Sequence, residues 1–187
     1  MSDDRPEGLP RNDDLIVVDE NDEVVGHRGK ADCHDGGGIL HRAFSIFILN
    51  PERQLLLQKR SAEKRLWPLY WSNSCCSHPR RGESMAAATV RRLREELGIA
   101  APLRLLFKIR YRFAFANKGS ENELTSVFAG RSEERIVADP AEVAEWKFVD
   151  LAEMESDLAR HPERYTPWFR KEWDVMRRNH LADILAP

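Results

Sequence analysis

The stretch GESMAAATVRRLREELG, residues 82–98, constrains this chain more than any other. Met85, Thr89, Leu93 and Leu97 recur every four residues, which draws one apolar stripe along a helix, and Gly98 follows as a stop. The segments on either side have a different rhythm. LIVVD (15–19) and VVG (24–26) read as a short hairpin, and AFSIFILN (43–50) and QLLLQKR (54–60) as two antiparallel strands around Pro51-Glu52-Arg53. Downstream, RLLFKIRYRFAF (104–115) pairs naturally with ELTSVFAG (123–130), and WKFVD (146–150) is a short strand. Two helices are predicted to close the chain, DLAEMESDLARH and TPWFRKEWDVMRRNHLADIL, the second opening at Thr166-Pro167 with Pro in its first turn. One strong helix set among strands, with no repeat or Gly/Ser linker, predicts a single α+β domain over 13–187. The polar residues 1–12 predict a mobile arm.

At 187 residues the chain can bury one full core. Its 29 basic and 31 acidic residues leave a net charge of −2, so nothing favours a nucleic-acid partner. No apolar run approaches the ~20 residues of a membrane helix. The start, MSDDRPEGLPRNDD, lacks the basic-then-apolar layout of a secretory signal. Three cysteines, Cys33, Cys75 and Cys76, cannot all pair internally, and vicinal ones pair only with strain. The expectation is a cytoplasmic protein with reduced thiols, a monomer or weak dimer without a membrane or nucleic-acid partner.

Several residues carry chemistry. His34 and His41 bracket DGGGIL, His78 follows Cys75-Cys76-Ser77, and Glu121-Asn122-Glu123 opens a strand. These leave two readings open: a zinc-holding module built on Cys33, His41, Cys76 and His78, or a reactive thiol beside a metal ligand. On the helix, Arg92 and Glu96 share a face at i, i+4; alone, that is a surface ion pair worth ~0.3–0.5 kcal/mol.

The segment from Ser77 to Ile99 is similar to the Nudix signature, with Glu83, Arg91 and Glu95-Glu96-Leu97-Gly98-Ile99 in matching places. Ser77 stands for its opening glycine and Arg92 for the glutamate after the arginine, so a cation sits where a hydrolase needs a metal-binding anion. A wider set of motifs resembles one Nudix-like family, the type 1 isopentenyl-diphosphate isomerases, from about Lys30 to Trp168. They are Lys30-x-x-x-His34, His41-Arg-Ala-Phe44-Ser45, Gln58-Lys59-Arg60, Lys64-Arg65-Leu66-Trp67-Pro68 and Trp71-Ser-Asn73-Ser-Cys-Cys76-Ser-His78-Pro79. Arg91-Arg92-x3-Glu96-Leu-Gly98, Tyr111-Arg112, Glu121-Asn-Glu123 and Thr166-Pro167-Trp168 complete them.

The resemblance implies a Nudix-like mixed β-sheet core flanked by helices, with an extra N-terminal hairpin and C-terminal helices. It implies an isomerase of isoprenoid precursor biosynthesis that interconverts isopentenyl and dimethylallyl diphosphate by a metal-dependent 1,3 proton shift. Cys76 and Glu123 would be its two proton-transfer groups: Glu123, assisted by Tyr111, as donor to the terminal carbon and Cys76 as thiolate base. Trp168 would face the carbocation, and Cys75 would be dispensable. His34, His41, His78, Glu121 and Glu123 would ligate one ion, Mn²⁺ or Mg²⁺, with Zn²⁺ able to occupy the site in isolated protein. A second ion, Mg²⁺, would bridge the diphosphate to Glu96, and Lys30, Arg60, Lys64 and Arg92 would supply positive charge to it. A Nudix hydrolase of nucleoside diphosphates is the rival on the same fold.

Overall fold

A computed structural model describes residues 13–185; the arm expected at 1–12 lies outside them. The sheet is organised around β3 (His41–Leu49), whose run HRAFSIFIL is buried on both faces. Along one edge it pairs in parallel with β8 (Ser120–Arg131), from His41↔Glu123 to Leu49↔Arg131. Its other edge meets three strands in turn. β1 (Leu15–Val18) pairs at His41, β6 (Cys75–Ser77) at Phe44–Ile46, and β4 (Leu55–Arg60) at Leu49. β2 (Val24–Arg28) continues from β1, and β7 (Leu103–Ala114) from β8. β5 (Trp71–Ser72) and β9 (Val143–Val149) flank β4. A strand buried on both faces needs apolar residues at nearly every position, which is how β3 reads.

The period-2 alternation of β3 divides the core. Phe44, Ile46 and Ile48 meet Cys75, Ala88, Leu93 and Leu97 on one face, covered by α2 (Met85–Leu97). Phe47 and Leu49 meet Val127, Trp168, Phe169, Trp173 and Met176 on the other, covered by α3 (Leu151–Arg160) and α4 (Pro167–Asn179). α2 begins two residues after Glu83: Ser84 is its N-cap, accepting from the Ala87 amide at 3.2 Å. Gly98 ends it in the left-handed region at φ 71, bonding back to the Leu93 and Arg94 carbonyls with its neighbour Ile99.

The short strands β5 and β6 were not expected from the sequence, and two helices differ from the expectation. A five-residue helix, α1 (Lys30–His34), precedes β3; it is too short to stand by itself and has no apolar stripe to read. The last predicted helix is divided at His180, where φ −131 leaves helical geometry, and α5 (Leu181–Leu185) follows. The His180 ring stacks on Phe107 at 5.1 Å, and the α5 carbonyl of Asp183 accepts from Arg104 at 2.6 Å. These long-range contacts outweigh local continuity. Among the described residues no helix is long and apolar enough to cross a membrane.

Candidate active site

Three elements deliver three imidazoles to one point. His34 ends α1, His41 begins β3, and His78 follows β6; their ring centroids lie 4.8–5.1 Å apart. His34 Nδ1 donates to the Lys30 carbonyl at 2.6 Å and His41 Nδ1 to the Ile39 carbonyl at 2.7 Å. That bond fixes the tautomer and leaves each Nε2 with a lone pair aimed inward. β8 supplies Glu121 and Glu123 on the same face, because residues two apart in a strand point the same way. Glu121 Oε2 is 2.9 Å from His34 Nε2, and Glu123 Oε1 is 2.8 Å from His78 Nε2 and 3.7 Å from His41 Nε2.

One ligand atom from each of the five lies within 4.8 Å of the others. His41 Nε2 and Glu121 Oε2 are buried without an aligned hydrogen-bond partner, which normally costs about 1–3 kcal/mol each. Orphaned lone pairs converging on a small volume fit a cation. Burial and the neighbouring histidines hold His78 well below its ordinary range despite Glu123, so its ring is neutral and ready to ligate. Burial works to raise the Glu123 carboxyl, but the neighbouring His41 and His78 rings outweigh it and keep it well below the carboxylate range. The donor set is mixed nitrogen and oxygen, five-membered, and suits a six-coordinate divalent ion better than structural zinc.

Beside this cluster a cavity of about 380 Å³ is lined by Cys76, His78, Tyr111, Glu121, Glu123 and Trp168 and also by the cations Lys30, Arg60, Lys64, Arg65 and Arg92. β3 explains why Cys76 and Glu123 share it: its two edges carry Ser45↔Cys76 and His41↔Glu123, four residues apart on one face. Cys75, one residue away, points into the α2 core and is fully buried. Cys76 Sγ donates to Asn73 Oδ1 at 2.8 Å, while both amide hydrogens of Asn73 go to the Ile46 and Cys75 carbonyls, which fixes its oxygen toward the sulfur. Burial, then the Glu172 carboxyl, push the Cys76 thiol up, against the bonds of Ser45 and Asn73. Tyr111 Oη donates to Glu123 Oε2 at 2.5 Å.

Three of the cations are already wired. Arg60 donates to the Trp67 and Leu66 carbonyls and stands 5.2 Å from the centre of the Trp168 ring. Lys64 and Arg92 both reach Glu142, Lys64 in a very short contact and Arg92 at 3.0 Å. Glu96 stands apart from the five-residue cluster. It is buried behind Arg92, one oxygen bound by Arg92 and the other accepting from Gln58 Nε2 at 3.1 Å. Trp168 is held by its Nε1, which donates to Ser72 Oγ at 3.1 Å, and by Trp67 edge-on at 5.2 Å. Cys33 packs with Leu15 and Val17, away from the cluster, so the zinc module built on it is not assembled.

A family profile described as NUDIX domain matches residues 39–169. Isopentenyl-diphosphate Delta-isomerase 1 of Aromatoleum aromaticum is 48% identical over 156 residues, 83% of this chain and 88% of that protein. The protein of the same name from Photorhabdus laumondii is 40% identical over 174 residues, 92% of this chain and 99% of the relative. The chain belongs to the Nudix-fold isopentenyl-diphosphate Delta-isomerase family. Solved structures agree on the fold: a Deinococcus radiodurans protein superposes with TM-score 0.63 at 23% identity, covering 79% of this chain and 89% of the other. A MutT protein from Methanosarcina mazei gives 0.61 at 20%, covering 74% and 94%.

Within this member of the isopentenyl-diphosphate Delta-isomerase family, Asn73, Ser45, Glu142 and Glu172 surround the site but were not singled out for it. Asn73 and Ser45 stood inside the motifs, yet nothing in their spacing showed that they touch the sulfur. Glu172 had a readable signal: it lies on the buried stripe of Phe169, Trp173 and Met176, where a carboxylate is out of place.

Proposed function

We infer that this protein interconverts isopentenyl and dimethylallyl diphosphate, moving the double bond by adding a proton at one end of the allylic unit and removing one at the other. One observation carries this reading: Cys76 and Glu123, two groups able to exchange protons, line the same cavity as Lys30, Arg60, Lys64 and Arg92. An isolated alkene is a very weak base, so its protonation needs a positioned acid and exclusion of water from the resulting cation. Glu123, with Tyr111 bonded to its second oxygen, and Cys76, oriented by Asn73 and Ser45, are the two proton-transfer groups. Trp168 and Tyr111 wall the hydrocarbon part; the Trp168 π face adds cation stabilisation of ~2 kcal/mol in a dry pocket.

Lys30, Arg60, Lys64 and Arg92 bind the diphosphate. Arg92 makes the hydrolase reading unfavourable, because its guanidinium occupies the carboxylates that would otherwise hold hydrolytic metal. His34, His41, His78, Glu121 and Glu123 would hold Mn²⁺ or Mg²⁺, with Zn²⁺ in isolated protein. When bound, that ion supplies positive charge that fixes the Glu123 carboxylate and tunes its basicity. Glu96 would reach a diphosphate-bound Mg²⁺ by exchanging the bonds it now makes to Arg92 and Gln58. The substrate is a small soluble diphosphate, consistent with a cytoplasmic enzyme acting as a monomer or weak dimer.

The test is a coupled assay for dimethylallyl diphosphate from isopentenyl diphosphate, with Mg²⁺ and with chelator. Metal-dependent product is expected. Phosphate release from nucleoside diphosphates, with isopentenyl diphosphate left unchanged, would sink the reading.

A further inference from the structure

Among the described residues, and outside the groups given a role above, one carboxyl is wholly enclosed. Glu172, on α4, has no exposed surface, and neither has Ser45, on the middle of β3. The two are 127 residues apart in sequence, and Ser45 Oγ donates to Glu172 Oε1 at 2.8 Å. The same hydroxyl oxygen lies 3.3 Å from Cys76 Sγ. Glu172 Oε2 is buried with no partner at all. Leaving a carboxylate oxygen unsatisfied in an apolar helix–sheet interface is costly, and a Leu there would fill the stripe of Phe169, Trp173 and Met176 without that cost.

We propose that Glu172 is a positioning residue for Cys76, acting through Ser45 to hold the sulfur in the rotamer that faces the cavity. The sulfur is then fixed from two sides, by Asn73 Oδ1 at 2.8 Å and by Ser45 Oγ at 3.3 Å. Asn73 is locked by the backbone of β3 and β6, whereas Ser45 is a free rotor unless something holds its hydroxyl. Glu172 supplies that hold. A neutral carboxyl suits the task, since an anion so close would oppose any negative charge on the sulfur. Burial pushes the Glu172 carboxyl well above the usual range, with Glu123 adding to it and the Ser45 bond opposing it.

This rests on the reading of Cys76 as a proton-transfer group, and two measurements keep the claims apart. Steady-state kinetics of isopentenyl diphosphate turnover are compared for the wild type, Glu172→Leu, Ser45→Ala and Glu172→Gln. Glu172→Leu and Ser45→Ala are expected to lower kcat by about tenfold or more with KM changed by less than about twofold, because the diphosphate is bound by the cations and not by Cys76. Glu172→Gln, whose amide can both accept from and donate to Ser45, is expected to recover kcat to within about threefold. Wild-type kcat in a folded Glu172→Leu protein overturns the proposal. The second readout is the Cys76 χ1 in crystal structures of the Leu and Ala variants. A second rotamer is expected, and an unchanged single rotamer overturns the proposal whether or not the protein isomerises. An inactive wild type would instead remove the functional reading alone.

Discussion

At the scale of single residues, the adjacent cysteines have opposite fates because a strand alternates its faces. Cys76 shares a face with Ser45 and the cavity, while Cys75 packs beside Phe44, Ile46 and Leu93. The resemblance gave the chemistry to Cys76; that Cys75 points the other way follows from extended geometry. Which of them faces the site depends on the register with β3. Cys76→Ala is expected to fold and to lose turnover by about 10³-fold, the scale of a proton-transfer group. Cys75→Ala should keep its activity and lose about 1 kcal/mol of stability through the small void it leaves. Paired turnover and urea-unfolding measurements check both; equal loss of activity in the two variants would contradict the assignment. Glu172 marks the limit of reading at this scale, since its carboxylate is visible on an apolar stripe but its partner Ser45 is not.

At the scale of elements, the helix α2 was legible from its four-residue period, β7 from its alternation, and β3, β4 and β8 as apolar runs bounded by turn residues. α1 was not, since five residues carry no period and its place is set by what it touches. The loop after it is pinned to the start of β8: Ser120 Oγ donates to the Gly36 carbonyl at 2.7 Å and Asn122 Nδ2 to the Gly38 carbonyl at 3.0 Å. These bonds carry His34 to Glu121. Gly119, with φ 139, sits at the closest approach, where a Cβ would lie 2.3 Å from the His34 carbonyl oxygen. Gly119→Ala is therefore expected to push α1 outward and weaken divalent-ion affinity by about tenfold or more while the rest of the fold survives. Calorimetric titration with Mn²⁺, beside a far-ultraviolet dichroism spectrum, measures this; unchanged affinity would show that α1 tolerates the displacement.

At the scale of the whole molecule, the site joins α1, β3, β8 and the segment after β6, so a bound ion should stabilise the entire fold by mass action. Melting temperature is expected to rise with Mn²⁺ or Mg²⁺ concentration, and to respond weakly in His78→Ala. A wild-type melting curve indifferent to either ion at millimolar levels would contradict the five-residue site. A second global effect comes from Glu142. Burial works to raise its carboxyl, but Lys64 and then Arg92 outweigh it and pull it down to about 2. A carboxyl depressed on folding adds stability that is fully present above its unfolded pKa of about 4.3 and fades as pH falls toward 2. The stability gap between wild type and Glu142→Gln should therefore shrink across that window, as followed by urea unfolding at constant ionic strength. A gap that stays constant to pH 2 would mean that Glu142 is not held by these cations.

The α+β composition, the apolar stripe of α2, the hairpins β1–β2 and β7–β8 and the residue types of the site were readable from the amino-acid order, because periodicity and motif spacing are local. Tertiary structure decided the rest. The parallel pairing of β3 with β8 joins His41 to Glu123 across about eighty residues of chain. It is closed by burial of both faces of β3 rather than by any turn. The same long-range packing set Gln58 against Glu96 and Glu172 against Ser45. No local signal encodes such contacts, since their free energy comes from the core that forms around them.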